Sequence, residues 1–264
     1  MTMRLAAGAL LLCAAVPASA QLGAPTQSPL PEGTTEGQDA GSPKGRYHEL
    51  DALPDWGGIW FVQFGGSGGG APLAVPKLKG EYLERYQAWR GEVASNNGVT
   101  RRNRSNCSPP GMPRIMRLAQ YPYEFLFTPG RVTINQEAWM QTRTIWTDGR
   151  VHKEDPDPTF MGDSIGHWEG DTLVVDTIGI SDQLDLDTGM PHSAQFHLTE
   201  RIHLSTEDPE VLVNEMLMED PEALEEPFAV TVRYRRDRHG SLIEFQCAEN
   251  DRNPIDDEGN TEFL

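Results

Sequence analysis

The sequence predicts a mainly β protein: a single antiparallel sheet rolled into a barrel or sandwich, with one N-terminal helix and a long irregular N-terminal segment. Two observations predict it. From residue 123 onward the chain breaks into short segments in which apolar and polar residues alternate, separated by turns rich in Gly, Pro and Asp. That is the pattern of half-buried strands. Only one stretch, Lys77 to Ala94, instead carries apolar residues at helical spacing, namely Leu78, Tyr82, Leu83, Tyr86 and Trp89. About eight strands would enclose room for one small ligand.

The elements follow in order. Residues 1–20 open with Arg4, run apolar from Leu5 to Val16, and end in Ala18-Ser19-Ala20. A basic start, a short apolar core and a small-x-small site describe a cleavable export signal cut after Ala20. The apolar run is too short to span a bilayer. Residues 21–50 are rich in Pro, Gly, Ser, Thr and acid and read as a disordered leader. A single β-rich domain is expected over 51–264, with a first strand through Trp56 to Val62. The glycine tract Gly65 to Gly70 meets no phosphate-binding pattern and reads as a linker. After the helix, Cys107 to Arg114 holds three prolines, which exclude helix and central strand.

The strands are expected at Tyr123–Thr128 and Arg131–Gln136 around Pro129-Gly130, and at Thr142–Thr147 and Arg150–His152 around Asp148-Gly149. Then come His167-Trp168 and Asp171–Ile178 around Glu169-Gly170-Asp171. Phe196–Leu204, Val211–Met218, Phe228–Arg235 and Leu242–Cys247 complete the set.

Charge narrows the function. The chain carries 22 basic and 40 acidic residues, a formal net charge of −18. Nucleic acid and anionic membranes reward basic patches, so neither is an expected partner. The one basic cluster, Arg101 to Arg104 without Asn103, reads as a solvated turn. The expected partner is a small-molecule substrate or ligand; a homodimer stays open. Of three cysteines, Cys13 lies in the signal, leaving Cys107 and Cys247. In an oxidising compartment an even pair suggests a disulfide; two separate buried thiols are the alternative. No metal-ligand spacing and no cofactor motif occurs, so no metal or cofactor is expected.

Several stretches carry a resemblance: Leu53-Pro54-Asp55-Trp56, Cys107 to Arg114, Thr147 to Arg150, Ser164 to Thr177, Pro191-His192-Ser193, Thr199-Glu200-Arg201, and Cys247 with Glu249-Asn250. Together they resemble a large family of exported, mostly uncharacterised bacterial proteins marked by a SIGxWEGDTLVVDT signature. Members usually carry Arg where this chain has His167, and Asn where it has Asp251. The resemblance spans residues 53 to 252 and implies an export signal and a β-rich, lipocalin- or calycin-like body. It supplies no catalytic residues.

Candidate chemistry comes from one break in a pattern. Phe196, Leu198, Ile202 and Leu204 share the apolar face of their strand, and Glu200 falls on it. A carboxylate removed from water suits a general acid or base. The reading is a cofactor-independent lyase or isomerase acting on a small hydrophobic, aromatic-type molecule. Glu200 is its base, His192 its acid or proton shuttle, and Arg143 steadies developing negative charge. Tyr123, Trp146, Trp168, His167 and Tyr234 are the expected pocket wall. Two alternatives compete: a structural ion pair from Glu200 to an inward Arg143 or Arg201, and a non-catalytic ligand-binding barrel.

Overall fold

The computed structural model describes residues 47, 50–63, 75–98, 108–187 and 189–246. The expected signal, the leader up to residue 46, the glycine tract, the basic cluster, Cys107 and Cys247 lie outside them.

Nine strands close into a barrel in sequence order: β1 (Ile59–Val62), β2 (Tyr123–Thr128), β3 (Arg131–Gln136), β4 (Gln141–Trp146), β5 (Asp163–Glu169), β6 (Thr172–Ile178), β7 (His197–Leu204), β8 (Val211–Glu219) and β9 (Phe228–Asp237). The mainly β barrel with one α-helix, α1 (Gly80–Ser95), is therefore present among the described residues. The purely antiparallel sheet is not. β4 and β5 pair in parallel, with Ile145 opposite Ser164 and Trp146 opposite Ile165. Parity explains this: a ring of nine strands cannot alternate direction all the way round, so one neighbouring pair must run the same way. A parallel pair needs a crossover rather than a tight turn. Residues 147–162 supply it, so Arg150–His152 is not the second arm of a hairpin, although Asp148-Gly149 does form a turn. Leu242 to Gln246 is not a strand either. It lies alongside, with Phe245 between Tyr121 and Trp139 at ring-centroid distances of 5.5 Å.

Alternation sorts the interior. Phe125, Ile134, Ile145, Leu173, Val175, Leu198, Ile202, Met216 and Val232 point inward and are buried; each such side chain contributes about 1.5–3 kcal/mol by leaving water. Gly166 lets the wall close, since a Cβ there would sit 2.9 Å from Ile145 Cγ2.

The two barrel ends differ. At the end holding the β3–β4 connection, the loop between β6 and β7 folds inward with Ile180, Leu184, Leu186, Met190 and Phe196 buried. It also packs on α1: at Gly189 (φ +71°) a Cβ would lie 2.2 Å from the Trp89 ring. At the opposite end, Trp56 fills the opening. Its ring meets Phe125, Phe127 and Trp168 at 5.5, 5.3 and 5.4 Å. Arg236 closes that end with its guanidinium 4.5 Å from the Trp60 ring and hydrogen bonds to the Gly57 and Pro209 carbonyls. No helix among the described residues is long and apolar enough to cross a membrane.

Candidate functional sites

Three places gather chemistry-bearing side chains: the barrel interior, the outer wall over β5–β8, and a groove beside Trp168.

Inside, β4 to β8 each contribute one polar side chain. Arg143 Nη2 donates to Glu200 Oε2, to Thr177 Oγ1 at 2.9 Å and to Ser164 Oγ at 3.2 Å. Asn214 Nδ2 donates to Glu200 Oε1 at 2.8 Å. Glu200 is wholly buried and Arg143 nearly so. The inward phase of Glu200 is as the alternation indicates, and its partner is Arg143. Arg201 points outward and pairs with Glu169 at 3.0 Å. With both oxygens accepting charge-assisted or amide hydrogen bonds and no solvent contact, this carboxylate is matched within the protein.

His192 has a different environment. It lies in the inward-folded loop, 4.8 Å from the Phe196 ring, with Nδ1 2.8 Å from the Ser193 carbonyl. That geometry places the proton on Nδ1 and leaves Nε2 an acceptor without a partner among the described residues. Burial, the largest cause, lowers its pKa below the usual imidazole value, against the opposing pull of Ser193 and Asp220. Ser193 in turn is anchored by Asp220, through its backbone N–H and its hydroxyl, both at 2.7 Å. The hydrogen-bond partners of His192 and of Glu200 have no residue in common.

The five residues expected to wall a pocket do not gather in one. Tyr123 and Tyr234 are buried against each other, centroids 5.3 Å apart, with hydroxyls donating at 2.7 Å to the Ile115 and Met116 carbonyls. Burial raises both phenol pKa values. These rings are core. Trp146 carries the Arg150 guanidinium 3.7 Å from its ring. His167 is exposed beside Glu169. Of the five, Trp168 is the one that lines the groove.

The groove, of about 350 Å³, lies at the Trp56 end of the barrel. Phe127 and Trp168 face into it, flanked by Leu50, Leu53, Pro129 and Val132, with Arg131, Thr147 and Asp148 on its polar side. Phe127 and Trp168 are 5.4 Å apart and both pack on Trp56, so the three rings form one continuous aromatic wall.

In the outer-wall cluster, His152 and His197 are titratable side chains that the sequence offers singly, while Asp176, which joins them, carries no sequence signal of its own. Asp176 accepts from two imidazoles: its Oδ1 lies 2.8 Å from His152 Nε2, and its Oδ2 lies 2.8 Å from His197 Nε2. His152 Nδ1 is 3.0 Å from Asp163 Oδ2, and His197 Nδ1 is 3.8 Å from Glu219 Oε2. The phase of β6 did put Asp176 outside, opposite Leu173, Val175 and Thr177. What alternation could not supply was the register that sets it near His197, or the crossover that delivers His152. Among the described residues, no three histidine, cysteine or carboxylate groups already stand close enough to share a metal ion.

No protein-family model matches this chain, and no curated protein shows significant similarity to it.

Proposed function

We propose that this protein is a small-ligand-binding β-barrel, and that its ligand is a small, mainly apolar aromatic molecule seated in the Trp168 groove. The observation that carries the reading is the groove itself: about 350 Å³, with Trp168 and Phe127 as one face and Arg131, Thr147 and Asp148 on its polar side. Ligand sites of drug-like size have that volume and lining. A flat ring finds there a preformed aromatic wall, and stacked or edge-on ring pairs add about 0.5–1.5 kcal/mol beyond area burial.

The competing reading, an acid/base lyase or isomerase, asks for a carboxylate free to exchange a proton with substrate. Glu200 is held by Arg143 and Asn214 in a sealed interior, which supports a structural role for it and favours binding over catalysis. Export belongs to the same proposal, on the strength of the signal-like residues 1–20, as does membership of the exported family that the SIGxWEGDTLVVDT stretch resembles.

Titration with 2-naphthol tests the groove, with tryptophan fluorescence as the readout. Saturable one-site binding is expected, weakened ~10-fold or more by Trp168→Ala or Phe127→Ala, which corresponds to about 1.4 kcal/mol of lost contact. Binding that both variants leave unchanged, or no saturation up to the solubility limit, sinks the reading.

A further inference from the structure

We propose a second site, on the outer wall and independent of the groove: His152, Asp176 and His197 bind one divalent transition-metal ion of the zinc, cobalt or nickel type. Two imidazole Nε2 atoms address the two oxygens of a single carboxylate, each at 2.8 Å. Behind His152, Asp163 Oδ2 lies 3.0 Å from Nδ1, within hydrogen-bond distance, while Glu219 Oε2 stands 3.8 Å from Nδ1 of His197, beyond it. A carboxylate behind a ligating histidine fixes the ring and its tautomer in metal sites, and raises the basicity of the ligating nitrogen. The arrangement thus holds one carboxylate-backed histidine, a second histidine with a carboxylate nearby, and one central carboxylate. Two nitrogens and one oxygen form a donor set suited to borderline divalent ions, and three protein ligands leave positions for water.

The donors now bind one another rather than a common point, so metal binding proceeds by exchange. Each Nε2 gives up its hydrogen bond to Asp176 and releases the proton it donated there to solvent, and the lone pair so freed turns to the ion. The remaining ring proton sits on Nδ1, on the side of Asp163 or Glu219. The side chains have room to adjust, since those of Asp176 and His197 are 40% and 35% exposed. The ion would also tie together three separate elements: the crossover through His152, β6 through Asp176 and β7 through His197. That gives a structural reason for a histidine at this point of the crossover.

Titration of the metal-stripped protein with zinc and, separately, cobalt chloride tests the site, read by calorimetry and by the visible absorption of bound cobalt. One ion per chain is expected. His152→Gln, His197→Gln and Asp176→Asn should each weaken binding more than tenfold, and Asp163→Asn should weaken it less. His167→Gln and His203→Gln, at the other histidines of this wall, should leave it unchanged. Circular dichroism confirms that each variant is folded, and the imidazole NMR signals of His152 and His197 should shift on zinc addition in the unsubstituted protein. Absence of binding at millimolar metal overturns the proposal, and so does binding that Asp176→Asn and His197→Gln leave intact.

Discussion

Glu200 tests what a single residue can reveal. Its position on an apolar face marked it in the sequence as unusual, and the phase alone put it inside. Which arginine answers it was not legible. Arg143 lies 57 positions away on a strand that is not a neighbour of β7, so the pairing depends on closure and stagger of the whole ring. The interior pair makes a stability prediction. Removing one partner of a buried ion pair leaves an uncompensated charge and costs about 3–5 kcal/mol, whereas replacing both with apolar groups of similar volume is often close to neutral. Glu200→Ala should therefore destabilise the fold by about 3–5 kcal/mol, while Arg143→Met with Glu200→Leu should recover part of that loss. In the double variant Ser164 and Thr177, 2.9 Å apart, can still bond each other, but the buried Asn214 amide loses its Glu200 acceptor, which withholds about 1–3 kcal/mol of the recovery. Urea midpoints for the three proteins decide it. A loss under about 1 kcal/mol in Glu200→Ala would mean that Arg143 finds other partners at little cost.

At the scale of elements, local pattern found eight of the nine strands near their observed places, because alternation and turn residues are local signals. It failed where a distant constraint decides. The Asp148-Gly149 turn looked like a hairpin, yet the odd strand count requires one parallel pair, and the chain must travel back along the barrel before β5 begins. Leu242 to Gln246 alternates like a strand, but β9 already pairs with β1 on one side and β8 on the other, so no edge remains for it. The loop between β6 and β7 is acidic in sequence, with Asp182, Asp185 and Asp187, yet its buried Leu184, Leu186 and Met190 close one barrel end. Its docking onto α1 depends on Gly189, whose positive φ favours glycine and whose missing side chain admits the Trp89 ring. Gly189→Ala should cost about 2–5 kcal/mol through overpacking and backbone strain together. In a Trp89→Ala background the same change should cost only the backbone part, about 1–2 kcal/mol. Equal losses in the two backgrounds, measured by urea unfolding, would show that the ring contact contributes nothing.

For the molecule as a whole, the inward-folded loop makes stability depend on pH through His192. Burial lowers its folded-state pKa, so the folded protein keeps the ring neutral at pH values where the unfolded chain has already bound a proton. The sign follows. Above the unfolded value of about 6.5 both states are neutral and the contribution is complete; as pH falls from there toward the folded pKa, the unfolded state gains the proton first and stability declines. One proton gives a slope of at most about 1.4 kcal/mol per pH unit in that window, and none below it, where both states are protonated. The chain carries six other histidines, so the comparison that isolates His192 is the difference between the original protein and His192→Gln. That variant keeps a donor for the Ser193 carbonyl without a titrating ring. Its urea midpoint should fall less steeply between pH 7.5 and 5, and the two curves should run parallel above pH 7. Parallel curves throughout would mean that the loop opens and hydrates His192 before the barrel unfolds, so that its ring titrates as an exposed one. In that case the seal at this end would be a local equilibrium rather than part of the cooperative fold.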